Sequence, residues 1–320
     1  MSTIAPAPAI ATTQPEPAAT ARPRWGLLSD YAQLLKLRVT GMVVLTAWAG
    51  YYLGCSRAGI PCFGWNLLAA LFGIGVVSGG AAALNQVIEN HPDSLMLRTQ
   101  RRPVASGRMG KVHGALAGLF AIAFGSIFLA VTTNFATGLL TLLTAFGYVG
   151  IYTPLKRVST LATFIGAFPG AMPPLLGWMA ARNALEWQAV TLFAILFFWQ
   201  FPHFLAIAWL YREDYARADI HMLPVVEPNG RSTARQALIY AILLLPISLF
   251  PSFLGMAGRI YLFSALLLGL GYLAMTIRFG KITAAPESAE ARKLARQLLQ
   301  TSVLYLPLLM AVMMCNARGW

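Results

Sequence analysis

Nine stretches of roughly 20 mainly apolar residues run through this chain of 320 residues. They lie near 37–54, 65–88, 113–132, 135–153, 159–180, 187–210, 234–254, 258–277 and 298–316. Each matches the hydrocarbon thickness of a bilayer. Lipid offers no water to backbone N–H and C=O groups, so each stretch must satisfy its own hydrogen bonds as an α-helix. The expected fold is therefore all-α, a polytopic membrane helix bundle of about nine transmembrane helices. Composition agrees: 58% of the residues are hydrophobic and 11% charged, against about 45–50% and about 25% in soluble domains. Only Thr133 and Asn134 separate the third and fourth stretches, which implies a tight hairpin.

A net charge of +13 would suit a nucleic-acid partner if the basic residues formed one stripe. They fall instead in short clusters between apolar stretches, which is a topology signal, and no nucleic-acid binding is expected. With the N-terminus placed in the cytoplasm, only Arg57, Arg182, Arg259 and Arg318 lie on outer segments, and the other 20 of the 24 Lys and Arg lie inside. That asymmetry follows the positive-inside rule. It predicts a multi-pass protein of a bacterial inner membrane with a cytoplasmic N-terminus and a periplasmic C-terminus. The Pro-, Ala- and Thr-rich start lacks the apolar core of a secretion signal and the repeated Arg of a mitochondrial transit peptide. Residues 1–30 are thus expected to be a disordered cytoplasmic tail and 31–320 the transmembrane domain. Cys55 and Cys62 share an outer loop, where a disulfide and two unlinked thiols are equally compatible with the sequence; Cys315 stands apart.

The inner segments 89–112 and 211–233 hold six of the eleven acidic residues: Glu89, Asp93, Glu213, Asp214, Asp219 and Glu227. Acids near membrane depth are costly and tend to be functional. Asn85, Glu89 and Asp93 are spaced i, i+4, i+8, which places them along one helix face. An amide oxygen and two carboxylates are hard ligands suited to Mg²⁺. Pro92 should bend or end the helix between the carboxylates. Arg98, Arg101 and Arg102 follow directly, and guanidinium groups bind phosphate in a fork geometry. Carboxylates for a metal followed by arginines for phosphate oxygens is what a diphosphate requires, although the arginines alone would also serve as solvated charges of an interfacial loop. A histidine inside the sixth stretch, His203, has the chemistry to ligate iron or move a proton, or simply to pair with a neighbouring hydroxyl.

The run from Asn85 through Glu89 and Asp93 to Met96, Arg98, Thr99, Arg102 and Pro103 resembles the first acidic motif of the UbiA-type intramembrane prenyltransferases. It is most similar to their heme O synthase branch, the protoheme farnesyltransferases. Glu89 stands where that superfamily usually has Asp. Further along, Tyr152-Thr153 with Leu155-Lys156-Arg157, the run Gly170 to Trp178, Trp199-Gln200-Phe201-Pro202-His203-Phe204, Asp214-Tyr215 and Met222-Leu223-Pro224 resemble elements of the same branch in the same order. The resemblance spans roughly residues 30–310. It departs at the second acidic motif, where Asp214 and Asp219 are five apart rather than four, so Asp214 matches and Asp219 does not; His221 is read as a loop histidine.

The resemblance implies that heme B, farnesyl diphosphate and water give heme O and diphosphate, for maturation of a heme-copper terminal oxidase. It implies Mg²⁺ as cofactor, held by Glu89, Asp93 and Asp214, with Asn85 beside them. Arg98, Arg101, Arg102, Lys156 and Arg157 would bind the diphosphate, and His203 with Trp199 the heme. The implied surroundings are membrane lipid and, beyond the substrates, heme A synthase or assembly proteins of the oxidase. The alternatives are a prenyltransferase for a quinone precursor, against which the Trp199–Phe204 segment argues, and a non-catalytic heme-binding assembly factor or transporter. A transporter should show inverted repeats, and no internal repeat is found.

Overall fold

Apolar length sets where the helices run, and Gly, Pro and polar caps set where they stop. The computed structural model describes residues 24–317. Most of the expected tail lies outside these residues, but its last part, 24–30, is helical: α1 spans Arg24–Leu34. Lys36, in the left-handed region at φ 47°, turns the chain into α2, Leu37–Ala58. Then come α3 (Trp65–Ile88), α4 (Asn90–Leu95), α5 (Lys111–Thr132) and α6 (Phe135–Phe146). The hairpin between α5 and α6 closes at Asn134, whose side chain accepts from the Thr137 amide at 2.8 Å. This is an N-cap in the usual sense.

α6 does not end cleanly. It continues through a π-helical stretch, Gly147–Tyr152, into the short α7, Thr153–Leu155. π turns inside helices are rare and cluster at functional sites. Beyond it lie α8 (Ala162–Arg182), α9 (Trp187–Leu210), α10 (Arg212–Arg217), α11 (Leu223–Val226), α12 (Arg231–Phe253), α13 (Arg259–Phe279, with a 3-10 extension Gly280–Ala284) and α14 (Ala289–Cys315). Eight of the described helices are long and apolar enough to cross a membrane. The ninth expected span, α2, is not among them, although it is 22 residues long. Its small and polar residues, including Gly50, Gly54 and Thr46, are buried against the rest of the bundle.

Small residues set the closest crossings, as expected where packing rather than water drives helix association. A Cβ on Gly50 would meet the Pro174 carbonyl oxygen at 1.9 Å, and one on Gly177 the Ala47 oxygen at 1.9 Å. α2 and α8 therefore touch backbone to backbone. α3 and α5 meet in the same way through Gly80 and Gly118. The second half of the chain packs differently. Large side chains such as Trp209, Tyr261, Tyr272 and Phe279 fill the space between α9, α12, α13 and α14. Exposed Phe, Leu, Ile and Val on α5 and α13 form the outer surface, facing the lipid of this multi-pass protein.

Candidate active site

The three prolines inside α8, Pro169, Pro173 and Pro174, each remove a backbone donor. Pro169, Gly170 and Pro173 line a cavity of about 340 Å³, within the range of small-molecule sites. Its walls come from α2, α3, α6 with its π-helical extension, α8 and α9. The wall is mostly apolar, with Ile74, Val77, Leu176 and Phe201 among its members, and Lys36, Tyr148 and Tyr152 lie at its polar end. On α3 the lining runs from Ile74 to Ala82, so the hollow extends roughly 12 Å along that helix. An isoprenoid fits such a shape better than a compact polar ligand does.

The acidic residues stand just outside that mouth. α3 ends at Ile88, and α4 restarts at Asn90 after Glu89 at φ −89°, ψ 12°. The break falls before Pro92 rather than after it. Backbone bonds from Glu89 to Asn85 (2.9 Å) and from Asp93 to Glu89 (2.8 Å) still carry the helical pitch across it. Asn85, Glu89 and Asp93 are all buried. A buried charge needs a partner, and Asn85 and Glu89 receive one from a distant part of the chain, Asp93 one from nine residues on. Lys36 Nζ donates to Asn85 Oδ1 at 2.7 Å. Lys156 Nζ donates to Glu89 Oε1 at 2.8 Å. Arg102 Nη1 donates to both Asp93 oxygens at 2.8 and 2.6 Å. The Asn85 amide also donates to Thr153 Oγ1 at 3.2 Å.

These contacts fix the electrostatics. Burial, reinforced by Arg102 and Lys156, pushes Lys36 down to about 7. Burial alone would raise the Glu89 carboxyl, but Lys156 and Lys36 outweigh it and hold it below its ordinary value. Burial opposes the charge on Lys156, yet Tyr152 and Glu89 hold its ammonium above the usual lysine value. Lys156 also sits 4.4 Å from the centre of the Tyr152 ring, a cation–π contact. Tyr148 and Tyr152, both on the π-helical stretch, line the cavity beside this lysine.

Asp214 has a different setting. It is buried on α10, where one oxygen pairs with Arg217 three residues on and the other accepts from the Arg98 amide at 3.4 Å. Among the described residues no three His, Cys, Asp or Glu side chains gather closely enough to share a metal ion. Glu89, Asp93 and Asp214 thus do not form one ligand sphere in this arrangement, because each is drawn to a cation of its own. The buried amide and two carboxylates on successive turns still suit Mg²⁺. That ion is commonly held by one or two carboxylates together with phosphate oxygens and water.

The arginines separate as well. Arg102 is the one bonded into the acidic cluster. Arg98 is exposed and lies over the Tyr211 ring at 5.1 Å, and Arg101 and Arg157 are exposed on the same rim. His203 and Trp199 leave the cavity to their neighbours Gln200, Phe201 and Phe204. They turn toward α14, where His203 Nδ1 lies 2.7 Å from Ser302 Oγ and Trp199 Nε1 donates to the Ser302 carbonyl at 2.9 Å. Asp219 is exposed at φ 52°. His221 contributes through its backbone, donating to the Lys156 carbonyl at 3.1 Å. Cys55, Cys62 and Cys315 are free. Sequence reasoning missed Lys36 as a site residue and read it only as topology. The available signal was a lone charge in the apolar run Leu34-Leu35-Lys36-Leu37.

Comparison with known proteins places this arrangement. Residues 43–312 match the model of the UbiA prenyltransferase family. The chain is 53% identical over 302 residues to the protoheme IX farnesyltransferase of Koribacter versatilis, covering 94% of this chain and 97% of that protein. It is 43% identical to the protoheme IX farnesyltransferase of Solibacter usitatus, covering 91% and 100%. Among solved structures, a digeranylgeranylglyceryl phosphate synthase superposes with a TM-score of 0.72 at 14% identity, over 90% of this chain and 98% of that one. A UbiA homolog from Archaeoglobus fulgidus bound to GPP and Mg²⁺ superposes with a TM-score of 0.56 at 14% identity, over 89% and 99%. At that identity the two structures speak to the fold.

Proposed function

The chain belongs to the UbiA prenyltransferase family, and from that premise we propose that it transfers the farnesyl group of farnesyl diphosphate to a vinyl group of heme B, giving heme O and diphosphate. The observation that carries this reading is the interlocked set Asn85, Glu89, Asp93, Lys36, Arg102 and Lys156 at the mouth of an apolar cavity. A charged head and a long apolar tail are the two ends of an allylic diphosphate. Relatives named protoheme IX farnesyltransferase, identical at up to 53% of positions over nearly their whole length, direct the acceptor to heme B.

Glu89 and Asp93, with Asn85 beside them, would hold Mg²⁺, and Asp214 would approach from α10. When bound, the ion would neutralise diphosphate oxygens and ease departure of the leaving group. The relative bound to GPP and Mg²⁺ supports that pairing of ligands. Lys156 and Arg102 exchange their carboxylate partners, and Lys36 its Asn85 amide partner, for phosphate oxygens, with Arg98, Arg101 and Arg157 as further cations at the rim. The bond between C1 and the diphosphate oxygen breaks, and the electron pair leaves with diphosphate. Tyr148, Tyr152, Phe201 and Phe204 line the wall around the developing allylic cation and shield it from early capture by water. The terminal vinyl carbon of heme gives its π pair to C1. Water adds to the cation left beside the porphyrin ring, and its proton departs to solvent. His203 with Trp199 hold the heme, and the cytoplasmic side of a bacterial inner membrane carries the rim.

The test is direct. Purified protein is incubated with heme B, farnesyl diphosphate and Mg²⁺, and the pigment is analysed by mass. The expected product is heavier than heme B by one farnesyl group and one hydroxyl. A pigment of unchanged mass, in protein shown to be folded, overturns the reading.

A further inference from the structure

Ser302 is completely buried on α14, and its hydroxyl has two neighbours. Its Oγ lies 2.6 Å from the Leu299 carbonyl oxygen and 2.7 Å from His203 Nδ1. Two oxygens that close require a proton between them. A carbonyl carries none, so the serine supplies it. With its only proton committed to Leu299, Ser302 can offer nothing but a lone pair to the imidazole. Nδ1 must therefore be the protonated nitrogen of a neutral His203, which leaves the lone pair on Nε2. That nitrogen has no hydrogen-bond partner among the described residues.

The ring itself is held. Trp199 stacks on it with centroids 4.8 Å apart and planes 23° apart. Trp199 is fastened in turn by its Nε1 bond to the Ser302 carbonyl and by the Tyr272 hydroxyl, which donates to its own carbonyl at 3.1 Å. An unpartnered imidazole lone pair in a membrane bundle, with ring plane and tautomer both fixed from the far side, is the construction seen where histidine ligates a metal: the second nitrogen donates to a neighbouring oxygen and so sets the ring. Nε2 is not sealed inside the bundle, so its bare lone pair can be reached by a ligand.

We propose that Ser302 is a positioning residue that fixes the Nδ1–H tautomer of His203, so that Nε2 ligates the iron of the heme substrate. The assignment rests on the reading above that heme B is the acceptor. It adds a residue on α14, a helix that contributes nothing to the cavity wall, and it holds heme by its iron on the face of α9 adjoining the one where Gln200 and Phe204 line the cavity.

The full-length protein is titrated with heme B under reducing and oxidising conditions, and the absorption spectrum, affinity and reduction potential are recorded. Farnesyl diphosphate binding and the melting temperature report the fold of each variant. His203→Gln is expected to abolish the imidazole-ligated spectrum. Ser302→Ala should weaken heme B about tenfold, at the low end of what loss of such a partner costs, and shift the spectrum and potential, while Ser302→Thr restores both. Independently, ¹⁵N spectra of the ligand-free protein, which has 4 histidines, with the His203→Gln spectrum subtracted, should show Nδ1 protonated and Nε2 bare. Loss of ligation in His203→Gln with an unaltered Ser302→Ala, or protonation at Nε2, overturns the proposal and leaves heme binding by His203 standing. An unchanged spectrum in His203→Gln overturns the proposal and the heme role of His203 together. Farnesyl transfer itself is judged separately by the mass of the pigment.

Discussion

The two acidic segments on the rim differ in who neutralises them. After α3, the polar groups Asn85, Glu89 and Asp93 are met by Lys36, Lys156 and Arg102, and two of these three contacts join residues 49 and 67 positions apart. After α9, Asp214 is met by Arg217 from the same turn of the same short helix. The first arrangement requires the whole bundle and closes the mouth of the cavity. The second needs only one turn of α10, and Arg217 is half exposed. Charges assembled from separate elements and held out of water are preorganised for a charged ligand. A local pair with one half-exposed partner is worth less than one held wholly out of water. On the proposed function, the difference gives the main chemistry to the α3 end and an auxiliary part to Asp214.

Breaking the α3 side should cost most. Asp93→Ala is expected to lower kcat/KM for heme O formation by at least about 10³-fold, equivalent to roughly 4 kcal/mol of transition-state stabilisation, as read by pigment mass against time. Next comes Lys156→Met, which strands Glu89 in a buried setting. Removing one partner of such a pair costs about 3–5 kcal/mol, visible as a lower melting temperature in detergent. Adding Glu89→Gln to it should recover much of that stability and none of the activity, which separates folding from function at the same pair. Asp214→Asn should reduce kcat/KM by only about tenfold, and Arg217→Ala should change stability by less than about 1 kcal/mol. An Asp214 effect as large as that of Asp93 would erase the distinction between the two segments.

The smallest expected effect is a pH step. Lys36, pushed down to about 7 by burial and by Arg102 and Lys156, carries its charge below that pH and loses it above. Without Mg²⁺, affinity for farnesyl diphosphate should therefore fall as pH rises through about 7, and the step should vanish in Lys36→Met. The stability term has the opposite sign. The unfolded lysine stays protonated up to its ordinary value, so the penalty for burying the charge is present below about 7 and is relieved as pH rises from there.

Much of the bundle was legible in the chain because lipid leaves so few options. The stretches expected at 65–88 and 187–210 coincide with α3 and α9, since each is bounded by polar or turn-forming residues. The hairpin at Asn134 was legible for the same reason. α1 was not, because its mixed sequence lies beside a Pro-rich start and carries no apolar period. Of the site, the helical spacing of Asn85, Glu89 and Asp93 was readable, and so was the cluster of arginines that follows. What joins them was not. Arg102 rather than Arg98 or Arg101 bonds Asp93 because Thr99 caps the end of α4 on the Asp93 carbonyl at 2.9 Å and swings the following turn back. Lys36 and Lys156 reach the cluster only through tertiary packing. The π-helical stretch that carries Tyr148 and Tyr152 leaves no periodic signature in the sequence.

Release of diphosphate from farnesyl diphosphate, followed with heme B present and with or without Mg²⁺, tests the α3-end chemistry most directly when the intact protein is set beside Asp93→Asn. The expected result is metal-dependent release in the intact protein and none above background in the variant, with heme B binding equal in both. Release at an equal rate in Asp93→Asn would contradict the account.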